Sequence, residues 1–346
     1  MLYGTSRKGH QMTRRFLPLA GGLALAAVLG VSTFGARAQE RALAGAQFRT
    51  PWGDPDIQGI FSTDDELGVP FERPDEFGES LVVDDEEFAE RQVRAEQQAE
   101  RDAEQFVEEQ PAGRGGGVGP PNHWLERGAP SRRTSIVVDP PDGRIPYVDE
   151  SARERSRDAV NVRTSRAPFD GPEALDHYDR CITRGLPHVI FPTIYNNTSQ
   201  IVQGPGYVAI RYEMIHDARV IPLDGRPALA SSMRQYFGDS RGHWEGDTLV
   251  VEVTNFPTDM VNYRGAGGGL RLVERFRRVD ADTVRYEVTV DDPETFAGPW
   301  TAALSLKSGT GLPDVYEYAC HEGNYAMFNI LSAARAEEAD PAAGEP

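Results

Sequence analysis

Residues 270–292 read LRLVERFRRVDADTVRYEVTVDD. Two runs rich in Val, Leu, Phe, Tyr and Thr flank Asp280-Ala281-Asp282, and both keep a period of two. That pattern predicts a β-hairpin whose alternate side chains lie on opposite faces. In the first run Leu270, Leu272 and Phe276 share a face, and Glu274 falls on that same face, while Arg271 and Arg275 point the other way. A carboxylate turned inward without a partner carries a large desolvation cost and a raised pKa. Glu274 therefore requires an Arg or His beside it, or a water-filled cavity.

The neighbouring segments repeat the pattern. HWEGDTLVVEVTNF (243–256) sets Gly246-Asp247 between two strand pieces, a hairpin signal, and SQIVQGPGYVAIRYEMI (199–215) breaks at Gly-Pro-Gly between two β-rich runs. In the latter, Val208, Ile210, Tyr212 and Met214 share one face. WTAALSLK (300–307) and DVYEYACH (314–321) read as further strands. Consecutive strands with short links and no helical pattern between them predict an antiparallel meander of about eight strands. The fold expected for the C-terminal half is a lipocalin-like β-barrel, with a sandwich as the alternative, behind a helical N-terminal part.

Four regions are expected. Residues 12–38 have a basic start at Arg14-Arg15, an apolar run from Leu17 to Phe34 and a small-residue cleavage site at Ala36-Arg37-Ala38. They read as a secretory signal peptide, so residues 1–38 are set aside and a periplasmic or secreted location follows. Residues 39–130 combine an extended arm anchored by Trp52, Ile57, Ile60 and Phe61, a charged surface helix over 84–109, and a Gly/Pro-rich loop over 110–130 containing His123 and Trp124. Residues 131–335 form the β-rich domain, entered through RTSIVVDPPDGRIP (133–146), a polar helix near 148–160 and RCITRG (180–185); 336–346 read as a disordered tail.

Removing the five basic residues of 1–38 takes the formal charge from −18 to about −23. Such a surface repels nucleic acid and anionic lipid, which leaves a small molecule as the expected partner. Beyond the signal no apolar run is long enough to span a bilayer. In an oxidising compartment the two cysteines, Cys181 and Cys320, most simply form one disulfide; free structural thiols or a metal or nucleophilic role are the alternatives.

The candidate chemistry gathers His216, His243, Glu274, Glu317 and His321, with Arg219 and Arg241 as anion clamps. Imidazole beside carboxylate in a low-dielectric cup suits general acid–base work, because burial and charge move both pKa values toward neutrality. Three histidines and a carboxylate would also suit a divalent metal such as zinc, although none of these histidines has the tight spacing of a metal motif. No other cofactor is implied. Dinucleotide, P-loop and HExxH fingerprints are absent, and GAGGG (265–269) reads as a loop.

Several segments together resemble a large family of exported bacterial proteins of uncharacterised activity. They are PDIQGIF (55–61), RTSIVVDPPDGRIP, RCITRG, EMIHDARVIPLDGRP (213–227), GDSRGHWEGDTLVVEVTNF (238–256), VERF (273–276), TVDDPETFAGPWT (289–301) and YEYACHEGNY (316–325). The resemblance implies export and a β-rich C-terminal half, and no particular substrate or cofactor. The family pattern often carries a His where this chain has Arg271, which weakens the histidine-rich metal reading.

Three functions are then in view. One is an acid–base enzyme of hydrolase, lyase or isomerase type, with His321 or His243 as base, Glu274 as its partner and Arg219 or Arg241 binding the oxyanion or carboxylate. The second is a non-catalytic binding protein holding an apolar ligand in the same cup. The third is a structural or interaction protein docking through its arm and acidic helix.

Overall fold

The computed structural model describes residues 48–104, 125, 127–160, 169–258, 262–308 and 314–339. The signal segment 12–38, His123, Trp124 and residues 340–346 lie outside the described residues. The strands are β1 (Gly59–Ser62), β2 (Val137–Asp139), β3 (Thr198–Gly204), β4 (Tyr207–Tyr212), β5 (Ala218–Pro222), β6 (Asp239–Glu245), β7 (Thr248–Thr254), β8 (Arg271–Arg278), β9 (Thr283–Asp291) and β10 (Trp300–Lys307). They form one antiparallel sheet in the order β5-β4-β3-β1-β10-β9-β8-β7-β6, with β2 added against β10.

The hairpin at 270–292 folds as its alternation requires. Leu272 faces Val290, Glu274 faces Val288 and Phe276 faces Tyr286, and all six are buried. The turns at Gly246-Asp247 and Pro205-Gly206 use glycines in the left-handed region, at φ 61° and 83°. Val208, Ile210, Tyr212 and Met214 fill the inner face as expected. The arm does more than wrap. Its β1 pairs along β3 and touches β10 at Ser62–Lys307, so it joins the two meanders into a single sheet. Ile57 and Phe61 are fully buried there, whereas Trp52 is exposed and anchors nothing.

The sheet curls on itself without ladder closure. Among the described residues no strand pairing joins its edges, β5 and β6. Side chains cross that seam instead. Arg219 of β5 reaches Glu274 of β8, beyond β6 and β7, and Ile221 and Leu223 pack over Gly242 of β6. A Cβ at Gly242 would stand 2.6 Å from Leu223 Cδ2 and 2.8 Å from Ile221 Cγ2, so the close approach needs glycine.

The two ends of the curl differ. One carries the short turns at 205–206, 246–247 and 279–282. The other receives the segment before β3 and residues 213–217, 255–270 and 292–299, while 223–238 starts beside the 205–206 turn, where Leu223 N donates to Gly206 O at 2.9 Å, and leads across to the start of β6. Binding residues concentrate where irregular segments converge on a rigid frame, so the second end is where a site belongs.

Among the described residues the α-helices are α1 (Asp85–Glu104), α2 (Glu150–Val160) and α3 (Tyr325–Ala339). The first is largely exposed and opens with Asp85, Glu86 and Glu87, favourable at a helix N-terminus. The second rests on the β7–β8 loop, where a Cβ at Gly265 (φ 83°) would lie 3.2 Å from Ser156 N. Helix α3 was not expected, and its last turn occupies what read as tail. The strand expected over DVYEYACH is also absent: the described part of 314–321 pairs with no strand. Neither face of that segment is cleanly apolar, so pairing would bury little. Cys320 is instead bonded to Cys181 across a sequence separation of 139, with Cα atoms 5.8 Å apart. Among the described residues no helix is long and apolar enough to cross a membrane.

Candidate functional site

Glu274 does face inward, and its partner is Arg219. The carboxylate is fully buried and accepts from Arg219 Nη1 at 2.6 Å, Arg219 Nη2 at 2.8 Å and Tyr286 Oη at 2.9 Å. Arg219 Nη1 also reaches Ser240 Oγ at 3.5 Å. Burial works against the Arg219 charge, but Glu274 beside it outweighs burial and holds the guanidinium protonated. Burial first, and Glu274 second, push the Tyr286 hydroxyl well above its ordinary range. A bidentate Arg–carboxylate pair of this kind is strong and saturated. Fully buried beside Phe276 and Val288 and bonded by both Arg219 and Tyr286, Glu274 has no access to a substrate proton. It ties the curled sheet together across its seam.

The other expected residues do not join it. Along β6 the inward positions are Ser240 and Gly242, which leaves His243 outside. His243 is exposed, with Nε2 3.3 Å from Glu245 Oε1, and Glu245 is itself held below the usual carboxylate range by Arg275 and then His243. Arg241 is occupied by Asp239 Oδ1 at 2.5 Å and Pro227 O at 3.1 Å. Glu317 is exposed. His216 and His321 do meet, with ring centroids 6.1 Å apart, but both are exposed and His216 Nδ1 is 3.0 Å from Tyr318 O. The expected single constellation is therefore split between the core and the solvent face. Among the described residues no three His, Cys, Asp or Glu side chains are grouped to hold a metal ion.

A different cluster occupies the end that bears the long connections. Its first part is the RCITRG loop, fixed by the disulfide at Cys181 and by Asp217, whose Oδ2 accepts from Thr183 Oγ1 at 3.0 Å and Arg184 N at 3.3 Å. Burial pushes the Asp217 carboxyl up to about 6 against the pull of these hydrogen bonds. From this loop Arg184 sends Nη2 to within 3.3 Å of His188 Nε2 and Nη1 to Thr193 Oγ1 at 3.4 Å. Both contacts are long, and neither acceptor carries charge.

The second part hangs from the β7–β8 loop. Arg264 sits in the left-handed region at φ 54°, a conformation costing roughly 1–2 kcal/mol for a residue with a Cβ. Its Nε donates to Tyr263 Oη at 3.0 Å, and its Cζ lies 3.6 Å from the Phe71 ring centroid. Tyr263 stacks on Phe191 at 5.7 Å and 16° and stands 6.0 Å from the His188 ring. Arg184, His188, Tyr263 and Arg264 are thus contiguous. Burial, then Arg184 and Arg264, push His188 down to about 3, so the imidazole is neutral and its Nε2 accepts from Arg184. Burial also lowers Arg184, and only tyrosines act against it; among the described residues neither guanidinium has a carboxylate partner.

The third part is a knot of hydroxyls. Tyr178 Oη lies 3.0 Å from Tyr195 Oη and 3.3 Å from Tyr318 Oη, and the Arg184 Cζ stands 5.8 Å from the Tyr178 ring centroid. Burial raises all three phenols, so they are protonated at neutral pH. The resulting arrangement is a partly buried cluster with surplus positive charge, a neutral imidazole and aromatic rings packed beside them. That chemistry suits binding an organic anion. Sequence reading singled out RCITRG without weighing Arg184, and it missed Tyr178, His188, Tyr195, Tyr263, Arg264 and Tyr318. The signal that would have found most of them is topological: Tyr178, His188, Tyr195, Tyr263 and Arg264 lie in connections that the strand order brings to one end, where the Cys181–Cys320 disulfide also holds Tyr318.

No family model matches the chain, and no curated protein matches it significantly. One solved structure is similar, the crystal structure of a secretory abundant heat soluble (SAHS) protein from Ramazzottius varieornatus. It is 13% identical, over 39% of this chain and 87% of that one, with a TM-score of 0.23. A likeness at that level carries no argument about fold or function.

Proposed function

We propose that this is an exported binding protein that holds a small organic anion at the loop-bearing end of its curled sheet. In this reading the sheet serves as a barrel-like cup whose tight hairpins form the floor. The observation that carries the proposal is the pair Arg184 and Arg264, flanking a neutral His188 with no carboxylate among the described residues to balance them. Enclosing a cation without its counter-ion costs several kcal/mol, and a fold retains such a cost where a ligand supplies the missing charge. The reading shares export and a small-molecule partner with the sequence expectation, and replaces an apolar ligand by an anionic one. Acid–base catalysis by Glu274 is not part of it, because that carboxylate is consumed by Arg219 and Tyr286.

Calorimetric titration with benzoate at low ionic strength tests the proposal. Arg184→Gln should weaken binding about 10- to 100-fold, the worth of a charge-assisted hydrogen bond. Arg226→Gln, which removes an exposed arginine paired with Asp224, should leave it unchanged. Equal affinity in the wild type and Arg184→Gln would contradict the proposal.

A further inference from the structure

The three tyrosine hydroxyls constrain the ligand beyond its charge. Each phenol has one proton and two lone pairs. Tyr178 Oη is bonded to both Tyr195 and Tyr318 and also lies 3.8 Å from Met214 Sδ. With one proton, Tyr178 can donate to only one of its neighbours. At least one of Tyr195 and Tyr318 therefore spends its own proton on Tyr178 and is left with lone pairs alone. If Tyr178 donates to Met214, both are.

Among the described residues the cluster thus has two kinds of unspent hydrogen-bonding capacity. Arg184 holds donors whose two acceptors are long and uncharged, and the Tyr195–Tyr318 pair holds acceptors. Arg184 lies against the Tyr178 ring, so the two kinds are separated by the width of an aromatic side chain. The half-buried rings beside them are flat: Tyr178 against Arg184, Tyr195 and Tyr318 at the hydroxyl knot, and Phe71 against the neighbouring Arg264. Flat walls of this type pack against planar bodies and fix their orientation.

We infer that the ligand of this site is a planar hydroxy acid, its carboxylate on Arg184 and its hydroxyl donating to the Tyr195–Tyr318 oxygens. The inference rests on the anion-binding reading above and specifies it. The complement of a donor cluster and an acceptor pair is a molecule with an anionic acceptor at one end and a proton donor at the other. A plain carboxylic acid leaves the tyrosine lone pairs unused, and a phosphate ion leaves the flat walls empty.

The test is a calorimetric panel on the full chain with benzoate, 3- and 4-hydroxybenzoate, 3- and 4-methoxybenzoate, and inorganic phosphate. A methoxy group keeps the oxygen and removes the donor. At least one hydroxybenzoate should bind about ten-fold more tightly than benzoate and than its methoxy counterpart, the worth of one added hydrogen bond. In the Tyr195→Phe/Tyr318→Phe double variant that preference should shrink to within two-fold while benzoate affinity holds. The wild-type comparison of hydroxy with methoxy acids needs no variant, so poor folding of the double variant does not remove the test. Hydroxy and methoxy acids of equal affinity, with benzoate binding clearly, would overturn the hydroxyl inference and leave the anion reading standing. Failure of every carboxylate to bind, or binding of phosphate alone, would overturn both.

Discussion

Replacing Glu274 by glutamine separates a structural role from a catalytic one. The substitution keeps the shape of the side chain and the Tyr286 contact but leaves the Arg219 guanidinium buried without its counter-charge. Removing one partner of a buried pair costs roughly 3–5 kcal/mol. For a domain of this size that is a fall in Tm of roughly 10 °C. Removing both charges should recover most of the loss, since apolar replacement of a buried pair is often neutral or stabilising by about 1–4 kcal/mol. The assay is denaturant unfolding of Glu274→Gln, Arg219→Met, and the double variant Arg219→Met/Glu274→Leu, with the midpoints compared at constant slope. Each single variant should be clearly destabilised, and the double variant should be more stable than either, giving a coupling energy above about 2 kcal/mol. Because the pair lies in the core, benzoate affinity measured well below each variant's Tm should stay within a few-fold of wild type. A Glu274→Gln protein that keeps its midpoint and loses binding would refute this assignment and restore Glu274 to the site.

Two further outcomes follow from the loop that carries Arg184. Opening the Cys181–Cys320 disulfide by the paired Cys→Ser substitutions frees a very long loop, worth at most about 4–5 kcal/mol in the chain-entropy model, and releases Tyr318 from Tyr178. Thermal unfolding should show the lower Tm, and hydroxybenzoate titration a loss of selectivity over benzoate; selectivity unchanged by the substitutions would contradict the placement of Tyr318. Asp217 gives a pH signature. Its carboxyl is held at about 6, above its unfolded value near 3.9, so between those pH values the folded state binds the extra proton and stability falls as pH rises. Compared with wild type, Asp217→Asn should lack that decline between pH 4 and pH 6; parallel stability profiles would show that Asp217 does not titrate there.

Much of the frame could be read from alternation alone. The hairpins at 199–215, 243–256 and 270–292 fold where their turn residues put them, and the inward turn of Glu274 follows from the positions of Leu272 and Phe276. Its partner was less legible, since a period of two says which face a side chain takes but not what lies across the seam. Arg219 and Arg241 looked equivalent in sequence; the structure gives one to Glu274 and the other to Asp239. The histidines misled because His243 sits one residue beyond Gly242, the position that β6 turns inward. His188, Tyr263 and Arg264 were invisible to pattern reading because irregular connections have no period. Arg264 depends further on a left-handed backbone that its residue type disfavours. Such strain persists where the surroundings enforce it, and it clusters at functional sites.

The central claim is that Arg184 is kept for a ligand and not for the fold, and the Tm of Arg184→Met with and without hydroxybenzoate tests it most directly. Methionine preserves the buried stem and removes a charge that no carboxylate balances among the described residues. The account predicts that the variant alone melts at or above the wild-type temperature, and that the ligand raises the Tm of the wild type but not of the variant. A variant that melts well below wild type, or that is stabilised by the ligand as strongly as wild type is, would contradict it.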